Sequence, residues 1–212
     1  MNRVDDVPQV FKDWLQDNAE RSERTYSKPY FITDNEKYIP KACDLGYHHN
    51  CQTCTLAYEL RRRGFAIEAM ANPLSGSVNG IAYREFDLFC AGRKTDWTQR
   101  FLAADGTELK PMKAVGLADT NEAKRLFIEG HTATQGRYEV YCQWKKDGAH
   151  VFIAERQKNG NLLWYDPQTG QKAEEFAERY LSNMKPSEIW VTRIDDAIIN
   201  PVFAKRLIKS GT

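Results

Sequence analysis

The C-terminal third of the chain contains four segments with strand character, and they restrict the possible folds more than any other feature. These segments are rich in β-branched and aromatic residues, and the short turns between them favour antiparallel pairing. The predicted strands are residues 137–145, 150–156, 161–167 and 187–195. A helix is predicted over residues 174–183, before the last strand, and another over residues 200–211 at the end of the chain.

A clear helical segment lies upstream, directly after Asn50. Asparagine is a favoured N-cap and Gly64 can supply a left-handed terminal turn, so a helix is predicted from Cys51 to Gly64. A strand is predicted over residues 65–73 and a shorter helix over residues 121–130. A helix followed by an antiparallel sheet makes α+β the predicted fold class.

The N-terminal segment differs in pattern from the rest of the chain. Residues 7–26 place apolar side chains at helical spacing among many charges, and prolines interrupt the segment that follows. Beyond it we find no repeat, low-complexity tract or second linker. We therefore predict an N-terminal arm and linker over residues 1–40 and a single domain over residues 41–212.

Composition excludes several function classes. The chain has 30 basic and 29 acidic residues, so no large net charge favours binding of nucleic acid. No apolar stretch reaches the roughly 18 to 20 residues of a membrane span, and the charged start predicts no export signal of its own. Five cysteines are too few and odd in number for a disulfide framework, so a reducing compartment and at least one free thiol are expected.

Cys51 is the strongest candidate nucleophile. It lies in the first turn of a predicted helix, where unpaired backbone N–H groups and the helix dipole favour a thiolate. Such a thiolate needs an imidazole to manage protons and a third group to fix the tautomer of that imidazole. A cysteine at a helix start is also commonly structural, so the thiol alone does not decide the function.

Both partners occur on one predicted hairpin. His150 opens one strand, Asn159-Gly160 predicts a tight turn, and Asp166 ends the returning strand. Counting outward from the turn places His150 opposite residues 166–169, within reach of the carboxylate. The order and placement of these residues predict a Cys51, His150 and Asp166 triad, although Asp before Pro is also an ordinary turn starter.

Two alternatives concern the same helix. Cys51 and Cys54, with Cys43, His48 and His49 upstream, also match a zinc knuckle or a redox pair. We favour no zinc, because two cysteines that begin a regular helix require the histidines to fold back, and the surroundings of a redox motif are absent.

The remaining helix positions have structural explanations. Cys54 lies one turn deeper than Cys51 and is predicted to be a core residue. The run Arg61-Arg62-Arg63 is interpreted as a solvated helix end that pairs with the dipole.

Several segments together resemble the papain-fold toxin domain of bacterial polymorphic toxins. They are NCQTCTLAYELRRRGFAIEA, GRYEVYCQWK, GAHVFIAERQKNGNLLWYDPQTG and WVTRIDDAIINP, which lie in the order of the family. The resemblance covers most of residues 41–203, except residues 74–130. It implies a papain-like cysteine hydrolase or transglutaminase-like fold, in which an N-terminal catalytic helix packs on an antiparallel sheet.

The resemblance also implies an activity. It assigns the triad to Cys51, His150 and Asp166 and the reaction to deamidation of glutamine side chains in a target protein, with cysteine peptidase activity as an alternative. No cofactor is expected. The predicted partners are a protein in the recipient cell and a cognate immunity protein, and Gln168 is a weaker candidate for a supporting role.

The N-terminal arm resembles the segment that precedes such toxins in phage head-morphogenesis-type proteins. Delivery by a secretion system or a phage-like particle, with action in the cytoplasm of the target cell, is therefore expected. The competing hypothesis is a non-catalytic interaction module of such a particle, in which the thiol is idle.

Overall fold

A computed structural model describes residues 20–21, 51–63, 65–69, 96–146, 148–201, 204 and 208–210. Its main element is a five-stranded antiparallel sheet in the order β4-β8-β5-β6-β7. The strands of this sheet are β4 (Met112–Lys113), β5 (Gly136–Trp144), β6 (Ala149–Arg156), β7 (Leu162–Tyr165) and β8 (Met184–Arg193). The four long strand predictions and the antiparallel pairing are thereby confirmed.

Within the described ranges, three α-helices with complete bounds accompany the sheet, and each was predicted. They are α1 (Cys51–Arg62), α2 (Asn121–His131) and α3 (Ala173–Asn183). Thr120 caps α2 by accepting the Ala123 N–H, and the Glu175 carboxylate accepts the Lys172 N–H at the start of α3. Asn50, the predicted cap of α1, lies outside the described residues. Among the described helices, none is both long enough and apolar enough to span a membrane.

Alternation along the central strands places the helices on opposite faces of the sheet. Ile153 of β6 and Tyr165 of β7 pack in one core with α1, whereas Phe152 and Trp164 pack in a second core with α3. Successive residues of a strand point to opposite faces, so the sheet lies between α1 on one side and α2 and α3 on the other. This α+β architecture confirms the predicted fold class.

Short strands complete the described structure. They are β1 (Glu20–Arg21), β2 (Phe65–Ala69), β3 (Phe101–Leu102), β9 (Ile198–Ile199) and β10 (Ile208–Ser210), and a 3-10 helix spans Asp96–Arg100. Strand β2 pairs with both β1 and β10, and β3 pairs with β9.

Two secondary-structure predictions are wrong in part. The helix predicted over residues 200–211 does not continue through Ile208–Ser210, which form β10 against β2. Likewise Glu20–Arg21, predicted as helical, form β1 against β2. In both places pairing with a strand outweighs the local helical pattern, because tertiary contacts override weak propensities. The remainder of the N-terminal arm, residues 1–19 and 22–40, lies outside the described residues, as do residues 70–95.

A further correction concerns the arginine run at the end of α1. The interpretation as a solvated helix end is wrong, because Arg61 and Arg63 are buried and Arg62 is half-buried. The Arg63 guanidinium donates to Glu59 Oε1 at 2.8 Å and to the carbonyl oxygens of Ile194 and Ala197. Arg63 is thus a core residue whose charge is neutralised from within the same helix.

Candidate active site

Cys51 is the first residue of α1 and is only partly buried. Burial opposes ionisation of its thiol, but the hydrogen bond and positive charge of His150 and the N–H of Val151 outweigh it. The pKa of Cys51 consequently lies below its ordinary value. Cys51 is therefore a partly exposed residue whose thiol is biased toward the nucleophilic thiolate.

His150 lies in β6, directly opposite Cys142 of β5 in the strand pairing. Its Nε2 is 3.0 Å from Asp166 Oδ2, which leaves Nδ1 as the ring nitrogen available to Cys51. Burial favours the neutral ring, but the charge of Asp166 and the hydrogen bonds to Asp166 and Cys51 outweigh it and raise the pKa of His150 to about 10. The imidazole is thereby held as a cation at neutral pH.

The hairpin between β6 and β7 brings Asp166 to this histidine. Gly160 adopts a left-handed conformation (φ +85°) in the turn, and the Gln157 N–H donates to Asn161 O at 2.8 Å. The register pairs Ile153 with Tyr165. Continued outward, it places residue 150 opposite residue 168, within the predicted range. Asp166 is then the diagonal neighbour of His150 on the same face of the sheet.

Asp166 is fully buried and holds three hydrogen-bond donors. His150 and the Tyr180 hydroxyl both donate to Oδ2, the latter at 2.5 Å, while the Gln168 backbone N–H donates to Oδ1 at 2.9 Å. Burial raises the pKa of Asp166, but His150, Tyr180 and Gln168 outweigh it and the pKa lies below its ordinary value. The carboxylate is fixed in place and remains charged. Gln168 thus contacts the candidate site through its backbone.

Two aromatic residues surround the imidazole and were missed by sequence reasoning. The Trp144 ring stacks on His150 at 5.8 Å between centroids, and the Tyr180 ring meets His150 edge-on at 5.3 Å. These rings fix the orientation of the imidazole and limit its contact with water. Both residues lie in elements that the sequence predicts, β5 and α3, but nothing in the local pattern distinguishes them from core aromatics.

The other described thiols have a different environment. Cys54 and Cys142 are both completely buried, and burial raises the pKa of each well above the ordinary value. The prediction that Cys54 is a core residue is confirmed. Among the described cysteines, only Cys51 has a lowered pKa.

The zinc alternative concerns residues that are mostly outside the described ranges. Cys43, His48 and His49 belong to that undescribed part, and the described residues contain no cluster of three potential metal ligands. The preference for no zinc therefore stays a prediction.

The site as a whole combines a thiol with a lowered pKa, an imidazole with a raised pKa and a buried carboxylate. This charge distribution suits nucleophilic attack by sulfur on a carbonyl carbon, followed by proton delivery to a leaving group. Comparison with family models finds a match over residues 49–171 to papain fold toxin 1, glutamine deamidase. The chain belongs to this family.

Family membership defines the fold and the general activity. The chain is a papain-fold toxin-family protein, and membership indicates a hydrolytic enzyme that acts on a protein target. The matched range includes Cys51, His150 and Asp166 but ends before Tyr180. No individual curated protein matches the chain.

Proposed function

We propose that this protein hydrolyses the side-chain amide of glutamine in a target protein through Cys51, His150 and Asp166. The observation that carries the proposal is the contact between the Cys51 thiol and an imidazole whose other nitrogen is 3.0 Å from a buried carboxylate. The family description supports glutamine as the substrate residue and deamidation as the reaction.

The first half of the reaction forms a thioester. The Cys51 thiolate attacks the carboxamide carbon, and the negative charge moves to the amide oxygen. His150 then donates a proton to the amide nitrogen, the C–N bond breaks and ammonia leaves. The backbone N–H groups in the first turn of α1 have no partner within the helix and are suited to the oxyanion, at about 3 kcal/mol for a well-placed donor.

The second half regenerates the enzyme. Neutral His150 removes a proton from water as the water oxygen attacks the thioester carbon, and the C–S bond breaks to release glutamate and the thiolate. Asp166 keeps the imidazole oriented and stabilises its charged form throughout. Asp166 is well suited to this role because three donors hold its carboxylate.

The peptidase alternative uses the same first step on a backbone amide. The two reactions differ in their products, since deamidation releases ammonia and raises the substrate mass by a single unit, whereas proteolysis yields fragments. Delivery by a secretion system or phage-like particle, action in the target-cell cytoplasm and a cognate immunity protein stay predictions from the family resemblance.

The decisive test compares two cysteine variants on host proteins and glutamine peptides. Cys51→Ala is expected to lower ammonia release by about a thousandfold or more with nearly unchanged thermal stability, because Cys51 is partly exposed. Cys54→Ala is the matched control, one helical turn away, and is expected to keep activity. If Cys54→Ala is inactive and Cys51→Ala is active, the nucleophile assignment is wrong, and fragments without ammonia identify a peptidase.

A further inference from the structure

A cavity of about 300 Å³ lies beside the catalytic imidazole and is not used by the mechanism above. Its lining residues are Trp144, Lys146, Arg179, Tyr180 and Asn183. Trp144 and Tyr180 both contact the His150 ring, with centroids at 5.8 and 5.3 Å. Two of its five lining residues therefore touch the imidazole directly, which places the cavity next to the candidate site.

The lining charges are both positive. Lys146 and Arg179 contribute the cations, and no carboxylate is among the lining residues of the described structure. The nearby acids of α3 have other partners, since Glu175 accepts the Lys172 N–H and Glu178 pairs with Arg125. An anionic group in this cavity consequently meets two cations and no acidic lining residue, while the nearest carboxylate behind Tyr180, Asp166, is already held by His150 and Tyr180.

The two cations also retain binding capacity. Arg179 uses one nitrogen, Nη2, to donate to Gln171 Oε1 at 3.0 Å, and its guanidinium lies 5.4 Å above the centre of the Tyr180 ring. These contacts orient the guanidinium and leave further N–H donors. Lys146 is exposed and makes no hydrogen bond or ion pair with the described residues. Asp147, which follows it, lies outside them.

Size and wall chemistry restrict the ligand further. A cavity of about 300 Å³ is at the lower end of ligand pockets and suits one or two side chains. The Trp144 and Tyr180 rings can cover an apolar stem, while Arg179 offers a planar fork that matches carboxylate or phosphate oxygens. The Asn183 amide adds a neutral hydrogen-bonding group.

We propose that this cavity is a specificity subsite that binds an anionic side chain close to the target glutamine in sequence. The anion is a carboxylate or a phosphate, since both present the oxygens that the two cations recognise. The inference rests on the proposed function, because it assigns the cavity to a substrate positioned at Cys51. It adds a requirement on the target sequence, namely an acidic or phosphorylated neighbour of the glutamine.

Binding is measured first, without turnover, in the Cys51→Ala protein. The probes are pentapeptides with a central glutamine and Glu, phosphoserine, Gln or Lys at each flanking position. The Glu or phosphoserine peptide is expected to bind roughly threefold to tenfold more tightly than the Gln peptide at one or two positions, as expected for partly exposed charge pairs. A stronger effect with phosphoserine identifies phosphate as the ligand, and a stronger effect with Glu identifies carboxylate.

Variants that remove the positive charges of the cavity test whether Lys146 and Arg179 cause this preference. Lys146→Gln and Arg179→Gln, added to Cys51→Ala, are expected to reduce the preference, and the double substitution is expected to abolish it. Lys146→Glu is expected to favour the Lys peptide instead. Lys158→Gln is the matched control, because Lys158 is exposed in the hairpin turn between β6 and β7 and is not part of the cavity lining. Equal binding of all peptides, or a preference unchanged in the double variant, overturns the proposal.

Turnover is then measured in the wild-type protein with the same peptides. An anionic neighbour is expected to lower KM with little change in kcat, because the interaction is equal in the ground state and the transition state. Absence of ammonia from every peptide and from host proteins contradicts the proposed function. The peptide-binding measurements on the Cys51→Ala protein still test whether the cavity binds an anionic side chain. A change confined to kcat shows that the anion acts on chemistry and overturns its assignment as a binding subsite.

Discussion

Two of the buried charge clusters that involve α1 differ in what their charges can do. Around Glu59, both carboxylate oxygens receive guanidinium N–H groups from Arg63 and Arg137 at 2.6 to 2.8 Å. Burial raises the pKa of Glu59, but the two arginines outweigh it and the pKa falls below its ordinary value. Because arginine does not lose its proton, no proton can move in this cluster.

At the start of the same helix, the charges are carried by groups that exchange protons. Cys51 and His150 titrate, Cys51 keeps partial exposure, and the charged partner Asp166 lies behind the imidazole, away from the thiol. The difference shows that a cluster suited to chemistry needs a proton that can move and an opening to solvent. A stabilising cluster needs only complete pairing.

The largest expected effect on stability is at Glu59. Glu59→Gln leaves two buried guanidinium groups without a countercharge, so the free energy of unfolding is expected to fall by about 3 to 5 kcal/mol, measured by urea denaturation. Glu155→Gln is the control, because the Arg62–Glu155 pair at 2.9 Å is partly exposed and is expected to contribute within about 1 kcal/mol. A loss at Glu59 no larger than that at Glu155 would contradict the stabilising role.

The second prediction concerns the pH dependence of Cys51 alkylation by iodoacetamide, followed residue by residue by peptide mapping. Because the pKa of Cys51 is lowered by His150, alkylation is expected to remain fast as pH falls below the ordinary thiol value of 9.0. In His150→Ala, burial acts without that compensation and raises the pKa. The rate at pH 7 is therefore expected to fall, by a factor of about ten for each unit by which the pKa rises.

Cys54 and Cys142 provide internal controls in the same experiment. Both are buried with raised pKa values and are expected to label slowly in the wild type and in His150→Ala. Equal and slow labelling of all the cysteines in the wild type would favour the idle thiol of a non-catalytic interaction module.

A smaller effect is expected at Tyr180, which acts on Asp166 as a positioning residue. Tyr180→Phe removes one of three donors to the carboxylate, so kcat is expected to fall roughly threefold to tenfold. The pKa of Asp166, which this hydrogen bond lowers, is expected to rise. The acid limb of the rate profile then moves to higher pH, because protonation of Asp166 removes the partner of His150.

The control for this effect is Tyr138→Phe. Tyr138 of β5 donates to Thr134 O at 2.9 Å and makes no contact with Asp166 or His150 in the described structure. Tyr138→Phe is expected to change the free energy of unfolding slightly without moving the pH dependence of the rate. An unchanged profile in Tyr180→Phe would show that this tyrosine has only a structural role.

The smallest effect is expected from removal of residues 1–35. The division into an arm over residues 1–40 and a domain over residues 41–212 stays a prediction, and deletion is expected to leave a folded protein with unchanged Cys51 alkylation. The deletion removes the short pairing of Glu20–Arg21 with β2, a strand that keeps its second partner, β10. A melting temperature lowered by more than about 8 °C would show that the arm belongs to the fold.

Much of the fold follows from local sequence signals. The helix that begins at Cys51, the hairpin with Gly160 in its turn and the long strands have strong periodic or turn patterns, and the structure contains them within a few residues. The hairpin register also brings His150 and Asp166 together, since both residues belong to one local unit. These features depend on short-range geometry, which a sequence encodes directly.

Other features depend on contacts between distant segments. Residues Ile208–Ser210 form a strand because they pair with the edge of β2. Arg63 is buried because its guanidinium donates to the carbonyl oxygens of Ile194 and Ala197, which lie more than a hundred residues away in the sequence. Local helical or solvated-surface patterns carry no information about such partners.

The sequence by itself determined the α+β class, the candidate nucleophile and its two partners, because each rests on a helix start or a hairpin. Only the tertiary structure decided that Tyr180 of α3 would donate to Asp166, that Trp144 would stack on His150, and that a cavity with two cations would open beside them. These contacts join elements that are separate in sequence. Their existence depends on how the helices pack on the sheet, and periodicity within one element does not specify that packing.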